Sequence, residues 1–247
     1  MELSKYNKPF SHTSEREVGI LLIHGITSTT SSLMYLAEKF AEARFNVELS
    51  SLSGHGTKWQ DMINIRFTDW INDLEADLKK LKKRCSKIFL CGLSLGGGLA
   101  LHLAGKHPEL NGIILINHAA KFTSPKFWFV PLLRHFVKSV PAVASDIKDT
   151  NSKEIAYDRT PVNGVYEMLK MMKEIRRMLP EIMLPVLIFK SEEDHVIPIS
   201  SARYTMETIG SKDKEMIMLK NSYHVAPLDF DKELIVEKSI EFINKRN

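Results

Sequence analysis

The chain of 247 residues carries 34 Lys and Arg against 30 Asp and Glu, is 44% hydrophobic and contains two cysteines. This composition describes one globular domain, with room for an inserted subdomain, long enough to bury a sizeable core. Its apolar residues come in short runs broken by charge, and none approaches the ~18 uncharged apolar residues that a membrane-spanning helix needs, so such a helix is excluded.

Residues 1–17 are polar, with His12, Glu15, Arg16 and Glu17 where a secretory leader would be apolar, and a cytoplasmic location is expected. A run of helical or strand character begins at Val18–Ile23, a continuous apolar stretch that reads as a strand buried on both faces and ends at His24-Gly25. Leu33, Leu36, Ala37 and Phe40 then follow helical spacing, and residues 46–52 read as a second strand. Phe67, Trp70, Ile71, Leu74, Leu78 and Leu81 predict an amphipathic helix. Acidic residues (Asp69, Asp73, Glu75, Asp77) open that helix and the basic run of residues 79–84 closes it. This order suits the helix dipole, so the basic run is read as a solvated helix end and no nucleic-acid partner is expected.

Residues 87–91 give the next strand. Its flanking Cys85 and Cys91 would stand ~20 Å apart at ~3.3 Å per residue, beyond disulfide reach. A helix rich in small residues is predicted over 95–107, strands over 112–117, 185–190 and 215–219, and a closing helix over 231–245. Strands alternating with helices mean an α/β fold around a mostly parallel sheet. The alternation stops between Ala119 and Leu184. That stretch of roughly 65 residues holds an aromatic and apolar cluster (Phe122, Phe127, Trp128, Phe129, Leu132, Leu133, Phe136), then a helical segment carrying Met168, Met171, Met172 and Met178. The domain division expected is therefore a core of residues 1–118 and 185–247 with a cap or lid over 119–184.

Gly92-Leu93-Ser94-Leu95-Gly96 follows a strand and opens a helix. In that setting a Gly-x-Ser-x-Gly string makes a sharp turn with the serine hydroxyl at the carboxyl edge of the sheet, where small residues let strand and helix approach. A serine needs a base to take its proton and a carboxylate to orient the base. Asp194 lies just past the strand at 185–190 and His224 just past the strand at 215–219, the same edge as Ser94. Glu192 and Glu193 share the acid's loop, but Asp194 is the one followed by Val196-Ile197-Pro198, apolar residues that would pack the loop beneath the site. Among nine histidines, His102 and His107 fall on a helix at i and i+5, on different faces. His195 adjoins its own candidate carboxylate, and His12, His118 and His135 are given no strand-end position. The oxyanion of a tetrahedral intermediate needs two backbone N–H donors, expected from Leu95 and from Ile26 in the loop after the first strand. His24, in that loop, is read as a brace for the backbone. No metal or cofactor is called for.

These residues resemble the α/β-hydrolase superfamily, and within it the bacterial monoacylglycerol lipases and related small carboxylesterases. The matching segments are Leu22 to Thr27, Gly54-His55-Gly56-Thr57, Gly92 to Gly97, Lys153 to Tyr157 running to Thr160-Pro161, Glu193 to Val196, and Asn221 to Val225. The resemblance implies Ser94 as nucleophile, His224 as base, Asp194 as its orienter, Ile26 and Leu95 as oxyanion donors, and Glu154 as the contact for the glycerol hydroxyls of a monoacylglycerol. It departs from the family in the cap, where residues 120–140 are more aromatic and Val143 stands where relatives carry isoleucine. A small amphipathic ester is the expected partner, with transient contact to a membrane or micelle through the cap. A serine at the turn argues against epoxide hydrolases and haloalkane dehalogenases, which use aspartate there. The alternatives carried are a general short-chain carboxylesterase and a hydrolase-fold binding module without turnover.

Overall fold

The computed structural model describes residues 2–122, 124–143 and 145–247. Met1 of the polar amino-terminal stretch, and Thr123 and Ala144 of the stretch predicted as a cap, lie outside the described residues. The strands are β1 (Phe10–His12), β2 (Val18–Ile23), β3 (Asn46–Ser50), β4 (Lys87–Leu93), β5 (Gly112–Ile116), β6 (Ser139–Pro141), β7 (Arg159–Pro161), β8 (Val186–Ser191) and β9 (Lys214–Leu219). The helices are α1 (Ser31–Glu42), α2 (Phe67–Lys82), α3 (Leu95–Lys106), α4 (Val130–Leu133), α5 (Val162–Met178), α6 (Ile199–Thr208) and α7 (Lys232–Asn244).

Seven strands form one sheet in the order β1-β3-β2-β4-β5-β8-β9, parallel throughout except for the antiparallel edge pair of β1 and β3. The continuous apolar runs explain the architecture, since each central strand must be covered on both faces. Alternation along β2 sends Leu21 and Ile23 into a core layer shared with α2, α3 and α5, and Ile20 and Leu22 into a second layer shared with α1 and α7. Register brings the ends of the central strands level: Gly92 lies opposite both Ile23 and Leu115. The loops that follow β2, β4, β5, β8 and β9 therefore gather along one edge, where a ligand site is expected in open α/β sheets.

The stretch between β5 and β8 has two parts of different character. In the first, β6 and β7 form a small antiparallel pair and α4 is a single turn. In the second, α5 packs on α3, burying Met171, Met172 and Ile175 completely. Gly98 and Gly105 make room for it: a Cβ there would stand 2.6 Å from the Met171 methyl and 2.3 Å from that of Met178. The methionine stripe is thus a packing face. Among the described residues no helix is long and apolar enough to cross a membrane.

Candidate active site

Ser94 joins β4 to α3 with φ 54° and ψ −116°, left-handed geometry that a side chain adopts only under constraint. Its N–H donates to the Ile116 carbonyl at 2.9 Å, and its own carbonyl accepts from Gly97, Gly98 and Ala119 at 3.1, 3.3 and 3.0 Å. Two glycines permit this turn. A Cβ on Gly96 would lie 2.0 Å from the Ile23 carbonyl oxygen, and one on Gly92 would lie 2.3 Å from that of Gly96.

Asp194 and His224 come together as their strand-end positions predict. The His224 Nδ1 lies 3.0 and 3.1 Å from the two carboxylate oxygens of Asp194, which fixes Nδ1 as the protonated nitrogen and leaves Nε2 as the acceptor. Val196 and Ile197 donate their N–H groups to Asp194 Oδ1 at 2.9 and 2.8 Å. This loop is held by the residues after the aspartate, as the sequence implies, while Glu193 points away to Lys148. Burial alone raises the Asp194 pKa, but the hydrogen bond and charge of His224, together with Lys190, overcome it and hold the carboxyl well below its ordinary range.

Three further residues around this dyad escaped the sequence reading. Lys190, on β8, is buried with its ammonium on Asp194 Oδ2 and 3.2 Å from Asn117 Oδ1. A lysine following the apolar Val186-Leu187-Ile188-Phe189 in a central strand was a readable signal. Asn117 follows β5 at φ 44° and donates through Nδ2 to Ser191 Oγ and to the backbone carbonyls of Tyr223 and His224, at 2.9, 3.3 and 2.8 Å. Asp146, on the stretch between β5 and β8, accepts from the N–H groups of His195 and His224 at 3.2 and 3.1 Å and from the His195 ring at 2.7 Å. No local pattern marks it. That contact raises the His195 pKa and turns the ring to the cavity rim. His118 does stand at a strand end, contrary to the sequence reading, but its buried ring bonds Thr205 Oγ1 at 2.7 Å and burial pushes its pKa down to about 3.

The loop after β2 is rigidly braced. His24 donates from Nδ1 to the Gly25 carbonyl at 2.9 Å and accepts at Nε2 from the Leu52 N–H at 3.3 Å; burial pushes it down to about 4, so it is neutral. Its ring meets His55 edge-on at 4.8 Å, and Tyr157 stacks on His55 while donating to the Gly54 carbonyl at 2.9 Å. Thr27 accepts from the Tyr157 N–H at 2.9 Å. The segments Leu22 to Thr27, Gly54 to Thr57 and Lys153 to Tyr157 are therefore one brace, which carries Ile26 to the site. Leu95 buries its side chain and opens α3, where the helix leaves the N–H without a partner of its own.

Ser94, His224, Ile26 and Glu154 all border a cavity of about 610 Å³. Its walls are otherwise mostly apolar: Phe122, Phe127, Val130, Leu133, Val162, Val165 and Met168. The predicted aromatic cluster divides here. Phe122 and Phe127 stack at 4.1 Å and line the cavity, whereas Trp128, Phe129, Leu132 and Phe136 are 64–82% exposed and do not. Glu154 accepts the Ser145 N–H at 3.1 Å through Oε2.

A parallel sheet with its helices in two layers and a strained serine at the central strand's end defines an α/β-hydrolase. The chain belongs to the serine hydrolase family Hydrolase_4 (serine aminopeptidase, S33), whose model matches residues 14–231. It is 39% identical over 245 residues to the thermostable monoacylglycerol lipase of Bacillus sp. (strain H-257), covering 96% of this chain and 94% of that protein. It is 25% identical over 242 residues to a carboxylesterase of Bacillus subtilis (strain 168), covering 96% of each. Among solved structures, one from work on the metagenome-derived lipolytic enzymes LipS and LipT matches with a TM-score of 0.94 and 38% identity over 97% of this chain and 98% of that one.

Proposed function

We propose that the protein is a monoacylglycerol lipase, cleaving the ester to glycerol and fatty acid through an acyl-enzyme. Ser94 Oγ attacks the carbonyl as His224 Nε2 takes its proton; Asp194 holds the Nδ1–H and balances the imidazolium charge. The N–H groups of Ile26 and Leu95 receive the oxyanion. His224 then returns its proton to the departing glycerol oxygen, and water repeats the sequence on the acyl-enzyme. Glu154 grips the free glycerol hydroxyls while the acyl chain lies along Phe122, Phe127 and Met168. No step passes through a metal or cofactor. The observation that carries this reading is that a serine, a carboxylate-bound histidine and Glu154 border one apolar cavity.

In this proposal residues 1–118 and 185–247 are the hydrolase core and 119–184 the cap, whose exposed aromatic residues touch a membrane or micelle during substrate uptake. The enzyme works in the cytoplasm and has no nucleic-acid partner. One observation favours a general short-chain carboxylesterase instead: Glu154 already accepts the Ser145 N–H, where Ser145 has φ 58°, and that bond could be its whole role. The deciding experiment is fluorophosphonate labelling with mass mapping, followed by rates on monoacylglycerol, diacylglycerol and p-nitrophenyl butyrate. Label on Ser94 with monoacylglycerol strongly preferred supports the lipase; equal rates on all three esters support the carboxylesterase, and label elsewhere defeats both.

A further inference from the structure

The Asp194 carboxylate is shared between Lys190 and His224. Its Oδ1 takes the Val196 and Ile197 N–H groups, its Oδ2 takes the Lys190 ammonium, and His224 Nδ1 lies within 3.1 Å of both oxygens. The Lys190 and Asp194 side chains are each only 1% exposed, so neither charge is shared with solvent. A carboxylate in such a dyad ordinarily gives its full negative charge to the imidazolium that forms when the base takes a proton. Here an ammonium neutralises that charge beforehand, and the forming imidazolium adds a second positive charge to a dry cluster.

We infer that Lys190 is a positioning residue for the reaction: by sharing the Asp194 carboxylate with His224 it weakens the carboxylate's hold on protonated imidazole and keeps the base free at lower pH. The inference rests on the proposed roles of Ser94, Asp194 and His224. Asn117 completes the device, because its Oδ1 fixes the ammonium while its Nδ2 holds the backbone carbonyl of His224. Burial favours the neutral amine at Lys190 and the Asp194 charge opposes that effect, so the pair is one coupled unit.

The other titratable groups around the dyad are already committed. Asp146 and His195 pair with each other. Asp229 accepts backbone N–H groups from Lys148, Asp149 and Tyr223. His118, held by Thr205, is neutral, Lys148 and Glu193 pair at the surface, and Glu154 holds the Ser145 N–H. None of these groups takes its hydrogen bond from Lys190, although its charge also acts on His118 and Asp146.

The test is kcat/KM against pH on p-nitrophenyl butyrate for the wild type, Lys190→Gln, Lys190→Met and Lys190→Arg. The two neutral variants should move the acid limb upward by about one pH unit, with plateau rates within about 10-fold of wild type. Lys190→Arg should restore the wild-type limb. A limb that stays put in folded neutral variants overturns the inference, whatever the plateau does. Failure of both neutral variants to fold also overturns it, leaving the pair a structural element. Fluorophosphonate mapping of the same proteins separates the two layers of argument: label on Ser94 with an unmoved limb defeats only the role of Lys190, and label elsewhere defeats the site on which it rests.

Discussion

The carboxyl edge of the sheet and the first part of the stretch between β5 and β8 border the same cavity and are built in opposite ways. At the edge, Ser94 and His224 are 6% and 7% exposed, and each is tied by several hydrogen bonds to neighbouring strand ends. Across from it, Trp128, Phe129, Leu132 and Phe136 turn most of their surface outward, while Phe122, Phe127, Val130 and Leu133 of the same cluster face the cavity. Geometry that must hold to fractions of an ångström rests on backbone and buried charge. In the proposed function, selection of a flexible chain needs apolar area and little orientation, and the described residues of the aromatic cluster around Phe122 and Phe127 supply that area with few polar side-chain ties.

The largest effect expected from breaking the first region is that of Ser94→Ala. It removes one hydroxyl from a turn whose shape is set by glycines and backbone bonds, so turnover should fall by about 10⁴-fold or more while thermal stability is kept. Near wild-type hydrolysis by the purified variant would remove Ser94 from the chemistry.

That the edge was readable and the aromatic cluster was not has a physical reason. Strand ends are announced locally by apolar runs followed by polar loops, and the fold then brings those ends together without further instruction. Ser94, Asp194 and His224 could therefore be placed by chain position alone; His224 bonds Asp194, and Ser94 and His224 border one cavity. Asp146 lies outside this logic because its partners, His195 and His224, come from distant loops and no periodicity leads to it. Helix α6 was missed for another reason: Ile199-Ser200-Ser201-Ala202 mixes small and polar residues, and Ser201 faces inward to bond the Ala120 N–H and the His118 carbonyl. In the aromatic cluster, the sequence shows that apolar residues are concentrated but cannot assign each to wall or to surface, since a 3-10 turn and one helical turn carry no sustained period.

Acid conditions offer the next handle on the rigid region. Asp194 has a folded-state pKa below its unfolded value near 3.9, so its contribution to stability is complete above that value and is lost only as pH falls toward the depressed one. Asp194→Asn leaves the Lys190 ammonium buried without its counter-charge, a change that costs about 3–5 kcal/mol when a buried pair is broken. Urea unfolding at pH 7 should show that loss, and the gap between variant and wild type should narrow below about pH 4, where the carboxyl takes up its proton first in the unfolded wild-type chain. A gap that is constant with pH would mean that the charge of Asp194 does not matter to the fold.

Between the two regions stands Glu154, tied to the Ser145 N–H yet open to the cavity. A hydrogen bond from a glycerol hydroxyl to a carboxylate is worth ~1.5–3 kcal/mol, so Glu154→Gln should lower kcat/KM for monoacylglycerol by about 10-fold or more. The same variant should leave p-nitrophenyl butyrate nearly untouched, because that ester has no glycerol to hold. Parallel losses on both esters would make Glu154 a support for the loop at Ser145.

The smallest effects should come from the exposed residues of the aromatic cluster. Trp128 and Phe136 are 82% and 79% exposed and touch neither the core layers nor the cavity. Trp128→Ser and Phe136→Ser should therefore shift stability by no more than about 0.5 kcal/mol and leave hydrolysis of dissolved p-nitrophenyl butyrate unchanged. What they remove is apolar area free to enter a lipid surface, at about 25 cal/mol per Å² of area taken out of water. Partial insertion of one ring makes this a few-fold loss in adsorption to phosphatidylcholine vesicles, measured by co-sedimentation, and a matching loss of rate on dispersed long-chain monoacylglycerol. The sharp comparison is between the two substrates: a loss confined to the dispersed one assigns the exposed rings to the lipid surface, whereas equal rates on both for wild type and variants would show that the substrate reaches the cavity without them.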